Sequence, residues 1–297
     1  MLEIRDLSIT LQTAQGPKKV VQHVDFQIPT GTTLGIVGES GSGKTMLCYA
    51  ILQLFRESRN YEGDILLEGR SLMEMDEQQL RGLRGNDVAC ILQNPMAMFN
   101  PIITIGEHMI ETVQAHRSLS KKQALHIATE QLAFFQLTDS RLLKKYPHEL
   151  SGGMLQRVMI AMAMSLRPKL LLADEPTTAL DTMTQLKVLE ELSHCQQQYQ
   201  TTMLIVSHDL GVIARMADQI VVMRRGKIME YGPAERILQN PVHSYTKALV
   251  AAKRKDDQLE KLVDSWSGDT NGILYELDTN YWVRQEERAD VRNPTSI

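Results

Sequence analysis

Eight consecutive residues, Gly38-Glu39-Ser40-Gly41-Ser42-Gly43-Lys44-Thr45, have the GxxxxGKT spacing of a phosphate-binding loop. Glycines in such a loop let successive backbone N–H groups turn inward as an anion nest, and a helix starting at Lys44 would aim its positive end at the same point. Lys44 adds a full charge for the β- and γ-phosphates, and the Thr45 hydroxyl can hold Mg²⁺. Phosphoryl chemistry also needs a carboxylate for the metal and a group that polarises the attacking water. The run LLLADEP supplies two candidates: Asp174 for Mg²⁺ and Glu175, one residue on, for the water.

These residues need a frame. The run Leu34–Gly38 reads as a buried strand entering the glycine-rich turn, and KTMLCYAILQLF from Lys44 has helical apolar spacing. Ahead of it, alternating apolar positions (Leu2, Ile4, Leu7, Ile9, Leu11, then Val20, Val24, Phe26, Ile28), broken at Gly16-Pro17, predict an antiparallel hairpin. KLLLAD and MLIVSHD predict central parallel strands with helices between them, and QIVVMRRGKIMEYG predicts a hairpin turning at Arg225-Gly226. Between about 95 and 167 helical patterns dominate, one opening at a capping Ser120, so a helical subdomain is expected inside an α/β core. A boundary is expected near residue 255, followed by a polar, turn-rich extension over 256–297 whose last residues, RQEERADVRNPTSI, are expected to be poorly ordered.

Composition narrows the function. At 297 residues and 43% apolar content the chain can bury a substantial core. Thirty-two basic and 36 acidic residues, a net charge of −4, give no general pull towards nucleic acid or anionic lipid. The start MLEIRDLSIT has no export-signal pattern, and the apolar stretch Val158–Leu166 is too short to span a bilayer. A cytosolic protein is expected, with any membrane attachment made through a partner. Cys48, Cys90 and Cys195 lie far apart, without metal-binding spacing, and are expected to be buried thiols.

Between the phosphate loop and the carboxylate strand stands Leu150-Ser151-Gly152-Gly153-Met154-Leu155-Gln156-Arg157. Ser151, Gly152 and Gly153 would open a helix whose N-terminal amides can bind a second phosphate, while Met154, Leu155, Val158, Met159 and Met162 would form packing surface. LSGGMLQR resembles the signature sequence of the ABC ATPases. The resemblance, over roughly residues 1–250, implies a P-loop ABC ATPase core with an N-terminal antiparallel β subdomain and the inserted helical subdomain. It also implies ATP and Mg²⁺ as ligands and head-to-tail pairing of two ATPase subunits, with Ser151 and Gly153 acting on ATP held by the partner's loop. Gln93, in ILQNPMAMFNP, resembles the glutamine that senses Mg²⁺ near the docking site of the membrane subunit. Asp181, in TTALD, resembles the dimer-contact loop, and His208, in IVSHD, resembles the histidine that contacts the γ-phosphate. One departure is Leu11, standing where the family usually stacks adenine on an aromatic residue.

LQNPMAMFNP, YPHELSGGM and NPVHSYTKAL are similar to the peptide and nickel importer ATPases. That resemblance implies a second, different ATPase chain, two membrane permease subunits and, indirectly, an extracytoplasmic solute-binding protein, with this subunit on the cytoplasmic face of the membrane. The branch commonly continues into a cysteine-containing iron-sulfur segment; with no cysteine after Cys195, no cluster is expected. Leu155, where peptide transporters often have Arg, leans towards nickel or a metal chelate over peptide. Non-transport readings explain less. A translation-type ABC ATPase would carry two ATPase cores, a DNA-repair type would place a long coiled coil between Lys44 and Ser151, and a P-loop kinase would leave LSGGMLQR unexplained.

Overall fold

The computed structural model describes residues 1–54, 56, 59–178, 180–253 and 270–285. The chain opens with β1 (Leu2–Thr13) and β2 (Gly16–Ile28), then β3 (Thr33–Gly38), α1 (Lys44–Ile51), β4 (Arg59–Leu67), β5 (Arg70–Ser71), α2 (Glu77–Leu83) and β6 (Val88–Ile91). Helices α3 (Ile105–His116), α4 (Lys121–Phe134) and α5 (Gly152–Met164) follow, with a 3₁₀ turn before α3 and two between α4 and α5. The chain then runs through β7 (Leu170–Asp174), α6 (Thr182–Tyr199), β8 (Thr202–Ser207), α7 (Leu210–Met216), β9 (Gln219–Arg224), β10 (Lys227–Pro233), α8 (Ala234–Gln239), α9 (Ser244–Lys253), β11 (Leu274–Asp278) and β12 (Tyr281–Arg284).

The described strands form two sheets. The smaller has the order β2-β1-β4-β5 and is antiparallel. The larger has the order β11-β12-β10-β9-β3-β8-β7-β6, parallel from β9 to β6 and antiparallel from β9 to β11. Strand period two sorts its residues into two cores. Val37, Leu171, Ala173, Met203, Ile205, Ile220 and Val222 face the core shared with α5, α6 and α7. Leu34, Ile36, Leu170, Leu172, Leu204, Val206, Val221 and Met223 face the other, shared with α1 and the smaller sheet. Every residue of β3, β7 and β8 is buried, as continuous apolar runs in a parallel sheet should be. Each large aliphatic side chain removed from water there contributes about 1.5–3 kcal/mol.

Local signals behave as their chemistry dictates. β1 and β2 pair as the expected hairpin, and β9 and β10 turn at Arg225-Gly226, both at positive φ (46° and 81°). Ser120 caps α4 in a reciprocal capping box with Gln123. Helix α1 is shorter than its apolar pattern: Leu52 caps it and Gln53 turns left-handed at φ 51°, while Phe55 lies outside the described residues. Cys48 and Cys195 are buried and Cys90 is half-buried. Burial raises the pKa of Cys90 and of Cys195 to about 12 each, so these are inert thiols.

Most of the expected extension lies outside the described residues, including its last twelve. Residues 270–285 add strands β11 and β12 to the edge of the larger sheet, an element sequence reasoning missed. The signal was available: apolar alternation in LYEL and YWV on either side of Asp278-Thr279-Asn280 is hairpin patterning. Among the described residues no helix is long and apolar enough to cross a membrane.

Candidate nucleotide site

The parallel strands β3, β7 and β8 deliver their C-terminal ends to one edge of the sheet, where a ligand crevice forms in open α/β sheets. The phosphate loop leaves β3 there. A Cβ on Gly38 would lie 2.1 Å from the Met223 carbonyl oxygen, and one on Gly43, at φ 102°, would lie 2.6 Å from that of Val20. The loop is thus wedged between β9 and β2, and only glycine fits at either point. Gly43 caps α1 without using a side chain, leaving the helix's first amides directed at the loop.

Lys44 is buried, and its Nζ donates to the carbonyls of Gly38 (2.7 Å) and Glu39 (2.8 Å) with the Ser42 hydroxyl at 3.5 Å. Burial lowers its pKa, while the charges of Glu175, Asp174 and Glu39 oppose that shift. The ammonium is held ready inside the loop by carbonyls, which a more strongly charged acceptor can replace. The Thr45 hydroxyl donates to Asp174 Oδ1 at 3.2 Å. Burial raises the Asp174 pKa, with the Thr45 hydrogen bond opposing it. A hydroxyl beside a carboxylate is a hard-oxygen donor set suited to Mg²⁺. Among the described residues no three His, Cys, Asp or Glu side chains form a metal cluster.

Glu175 sits just beyond β7 at φ 52°, a left-handed conformation that is strained for this residue. Its N–H donates to the Val206 carbonyl (2.9 Å), which turns its carboxylate away from Asp174 and towards the end of β8. Oε1 accepts from the His208 N–H (2.9 Å) and contacts His208 Nδ1 (2.8 Å); Oε2 accepts from Thr178 Oγ1 (2.9 Å) and Ser207 Oγ (3.4 Å). The carboxylate is 11% exposed and the imidazole 65%. One charge is therefore caged while its partner faces solvent. Gln93, exposed, lies two residues beyond β6, whose Ile91 is in register with Ala173 just before Asp174.

The structure brings together the phosphate loop, Asp174, Glu175 and His208. It sets the remaining candidates on a neighbouring exposed surface. Ser151 caps α5, its hydroxyl accepting from the Met154 N–H at 3.3 Å. A Cβ on Gly153 would lie 2.9 Å from Thr184 Cγ2, so α5 starts directly against α6. Asp181 caps α6, accepting from the N–H groups of Met183 (3.1 Å) and Thr184 (3.0 Å) and from Thr184 Oγ1 (2.6 Å); these bonds, Thr184 first, lower its pKa. Leu11 is half-buried on β1, opposite Lys18 of β2.

Two supporting contacts escaped the sequence reading. The buried Gln156 donates from Nε2 to the Pro176 carbonyl at 2.6 Å, tying α5 to the turn that carries Glu175. Arg157 pairs with Glu191 at 2.5 Å and donates to the Phe135 carbonyl at 2.5 Å, joining α5 to α6 and to the end of α4. Both partners are distant in sequence, and no local pattern announces them.

Residues 21–178 match the family model described as ABC transporter. The chain is 43% identical over 256 residues to the metal-staphylopine import system ATP-binding protein CntD of Staphylococcus aureus (strain NCTC 8325 / PS 47), covering 86% of this chain and 94% of that one. It is 40% identical over 253 residues to the oligopeptide transport ATP-binding protein OppD of Salmonella typhimurium, covering 85% and 76%. Among solved structures, a dimeric post-hydrolysis state of the ATP-binding cassette MJ0796 bound to ADP and Pi superposes with a TM-score of 0.71 at 25% identity, over 79% of this chain and 99% of that one.

Proposed function

The chain belongs to the ABC transporter ATPase family, and on that premise we propose that it is the ATP-hydrolysing subunit of an importer for nickel, a metal chelate or peptides, with nickel or a metal chelate preferred over peptides. The observation that carries the catalytic reading is the convergence of Lys44, Thr45, Asp174, Glu175 and His208 at one end of the parallel strands. The similarity to both CntD and OppD supports import, and Leu155 in the signature supports the metal-chelate preference.

In this reading the loop amides of residues 39–43 and Lys44 bind the β- and γ-phosphates of ATP. Thr45 and Asp174 would hold Mg²⁺, with Gln93 as a further ligand at the neighbouring strand end; the metal supplies charge neutralisation between the phosphates. Glu175 takes the proton from the attacking water, and His208 both orients that carboxylate and contacts the γ-phosphate. Ser151, Gly153 and Asp181 act across a head-to-tail dimer on ATP held by a second ATPase chain, as the dimeric state of MJ0796 supports. Residues 1–255 form the nucleotide-binding domain, with about 95–167 its helical subdomain and 256–297 an extension; the Gln93 region docks to the membrane permease subunits at the cytoplasmic face of the membrane.

The test is to co-express the chain with its pairing ATPase and permeases in membranes and measure phosphate release with binding protein loaded with nickel chelate or with peptide. Stimulation by the chelate form supports the proposal in full. Stimulation by peptide alone overturns the substrate preference, and hydrolysis indifferent to either overturns the importer reading.

A further inference from the structure

Glu39, the first residue after β3, belongs to the phosphate loop, and its carbonyl accepts from Lys44 Nζ at 2.8 Å. Its carboxylate turns back into the fold, 3.3 Å from Nε of Arg224, a 3%-exposed guanidinium at the end of β9. The register of β3 and β9 sets this pair, because Gly38 lies opposite Met223. The Arg224 guanidinium stacks over the ring of Tyr245 at 4.8 Å. Tyr245 is fully buried in the first turn of α9, so its ring holds the Arg224 guanidinium from the side away from water.

A second buried carboxylate anchors Tyr245 from the other side. Glu230 on β10 is completely buried and accepts from the N–H groups of Val242 (2.9 Å) and His243 (3.1 Å), while His243 Nδ1 accepts from the Tyr245 N–H (3.1 Å). The Glu230 carboxylate also accepts from the hydroxyl of Tyr281 on β12. Tyr281 is itself fully buried against Gly232, where a Cβ would lie 2.4 Å from its ring. The described contacts thus run from the C-terminal hairpin through Tyr281, Glu230, His243, Tyr245 and Arg224 to Glu39, whose carbonyl meets the lysine of the phosphate loop. Groups so closely packed have few alternative arrangements, so a change at one end displaces the other.

We propose that Tyr245 is a positioning residue of the nucleotide site, acting through Arg224 and Glu39 on the phosphate loop, and that the C-terminal hairpin fixes its place through the Tyr281–Glu230 contact. The inference rests on the nucleotide reading of the loop. A hairpin that holds Glu39 in place lowers the cost of organising the loop around phosphate, and linkage requires that bound ATP tighten the hairpin in return.

The test uses the full chain and the variants Tyr245→Leu, which removes the ring over Arg224, Tyr281→Phe, which removes only the hydroxyl on Glu230, and their combination. ATP affinity is measured by equilibrium titration, KM and kcat by phosphate release, and folding by the thermal midpoint. Tyr245→Leu is expected to weaken ATP binding about five-fold or more, raising KM while kcat at saturating ATP is retained. Tyr281→Phe is expected to act in the same direction, and the double variant to be no worse than Tyr245→Leu alone, because both act along one path. In wild type, ATP should slow amide exchange over 274–284. ATP affinity unchanged in both single variants, with only the midpoint lowered, would overturn the proposal; additive losses would overturn the hairpin's part in it. Failure of the wild-type chain to bind ATP would instead bring down the nucleotide reading itself.

Discussion

Glu175 and His208 meet twice: one carboxylate oxygen of Glu175 accepts the His208 backbone N–H at 2.9 Å and contacts the ring Nδ1 at 2.8 Å. The backbone bond fixes where the carboxylate is, and the ring contact fixes which way the imidazole faces. Glu175→Gln keeps the length and most hydrogen bonds of the side chain but cannot take a proton. Phosphate release should fall by about 10²–10⁴-fold, the usual worth of a positioned base, with ATP affinity retained. Single-turnover hydrolysis beside an equilibrium titration checks both halves, and hydrolysis at the wild-type rate would remove Glu175 from the role of base.

Asp174 is a charge the fold holds at a cost. Burial raises its folded pKa above the unfolded value, so the stability it contributes is fully present below the unfolded value and is lost as pH rises through the folded one. Asp174→Asn retains an oxygen to accept from Thr45 and carries no charge. Without nucleotide the variant should therefore melt above wild type at neutral pH, by about 2–4 °C for each kcal/mol relieved, and the gap should close in acid. Scanning calorimetry across pH reads the difference; an Asn variant that melts lower at pH 7 would show that the carboxylate stabilises the empty site. Mg²⁺-dependent hydrolysis should be lost in either case.

Arg157 and Glu191 form a largely buried pair, their side chains 15% and 6% exposed. Glu191→Leu would leave the guanidinium, among the described residues, only the Phe135 carbonyl as acceptor, a loss that typically costs about 3–5 kcal/mol. Denaturant melts of the variant should show that loss. Replacing both residues together, Arg157→Met with Glu191→Leu, should recover most of it. A double variant as unstable as the single one would mean that the pair holds α5 to α6 by geometry that apolar packing cannot supply.

Much of the site was legible because its chemistry is local in sequence. The spacing from Gly38 to Thr45, the strand ending at Asp174-Glu175, the caps at Ser120 and Ser151 and the Arg225-Gly226 turn each depend on residues a few positions apart. The contacts that set the site's stiffness are of another kind. Gln156 finds Pro176, Arg157 finds Glu191 and Glu39 finds Arg224 only after the sheet order and helix packing exist. Strands β11 and β12 were missed although their alternation is plain, because the polar stretch before them reads as the end of the fold.

On β12, Trp282 lies flat against Tyr231, ring centroids 5.0 Å apart and planes 10° from parallel, and the Tyr231 hydroxyl donates to the Gln27 carbonyl of β2 at 3.0 Å. Trp266 is the chain's other tryptophan. In a Trp266→Phe background, indole emission would come from this stack alone, and separation of the hairpin from the sheet would release the indole into water and shift its colour to the red. The molecule thus carries an unlabelled optical gauge of its own C-terminal edge, readable in milliseconds while nucleotide is mixed in.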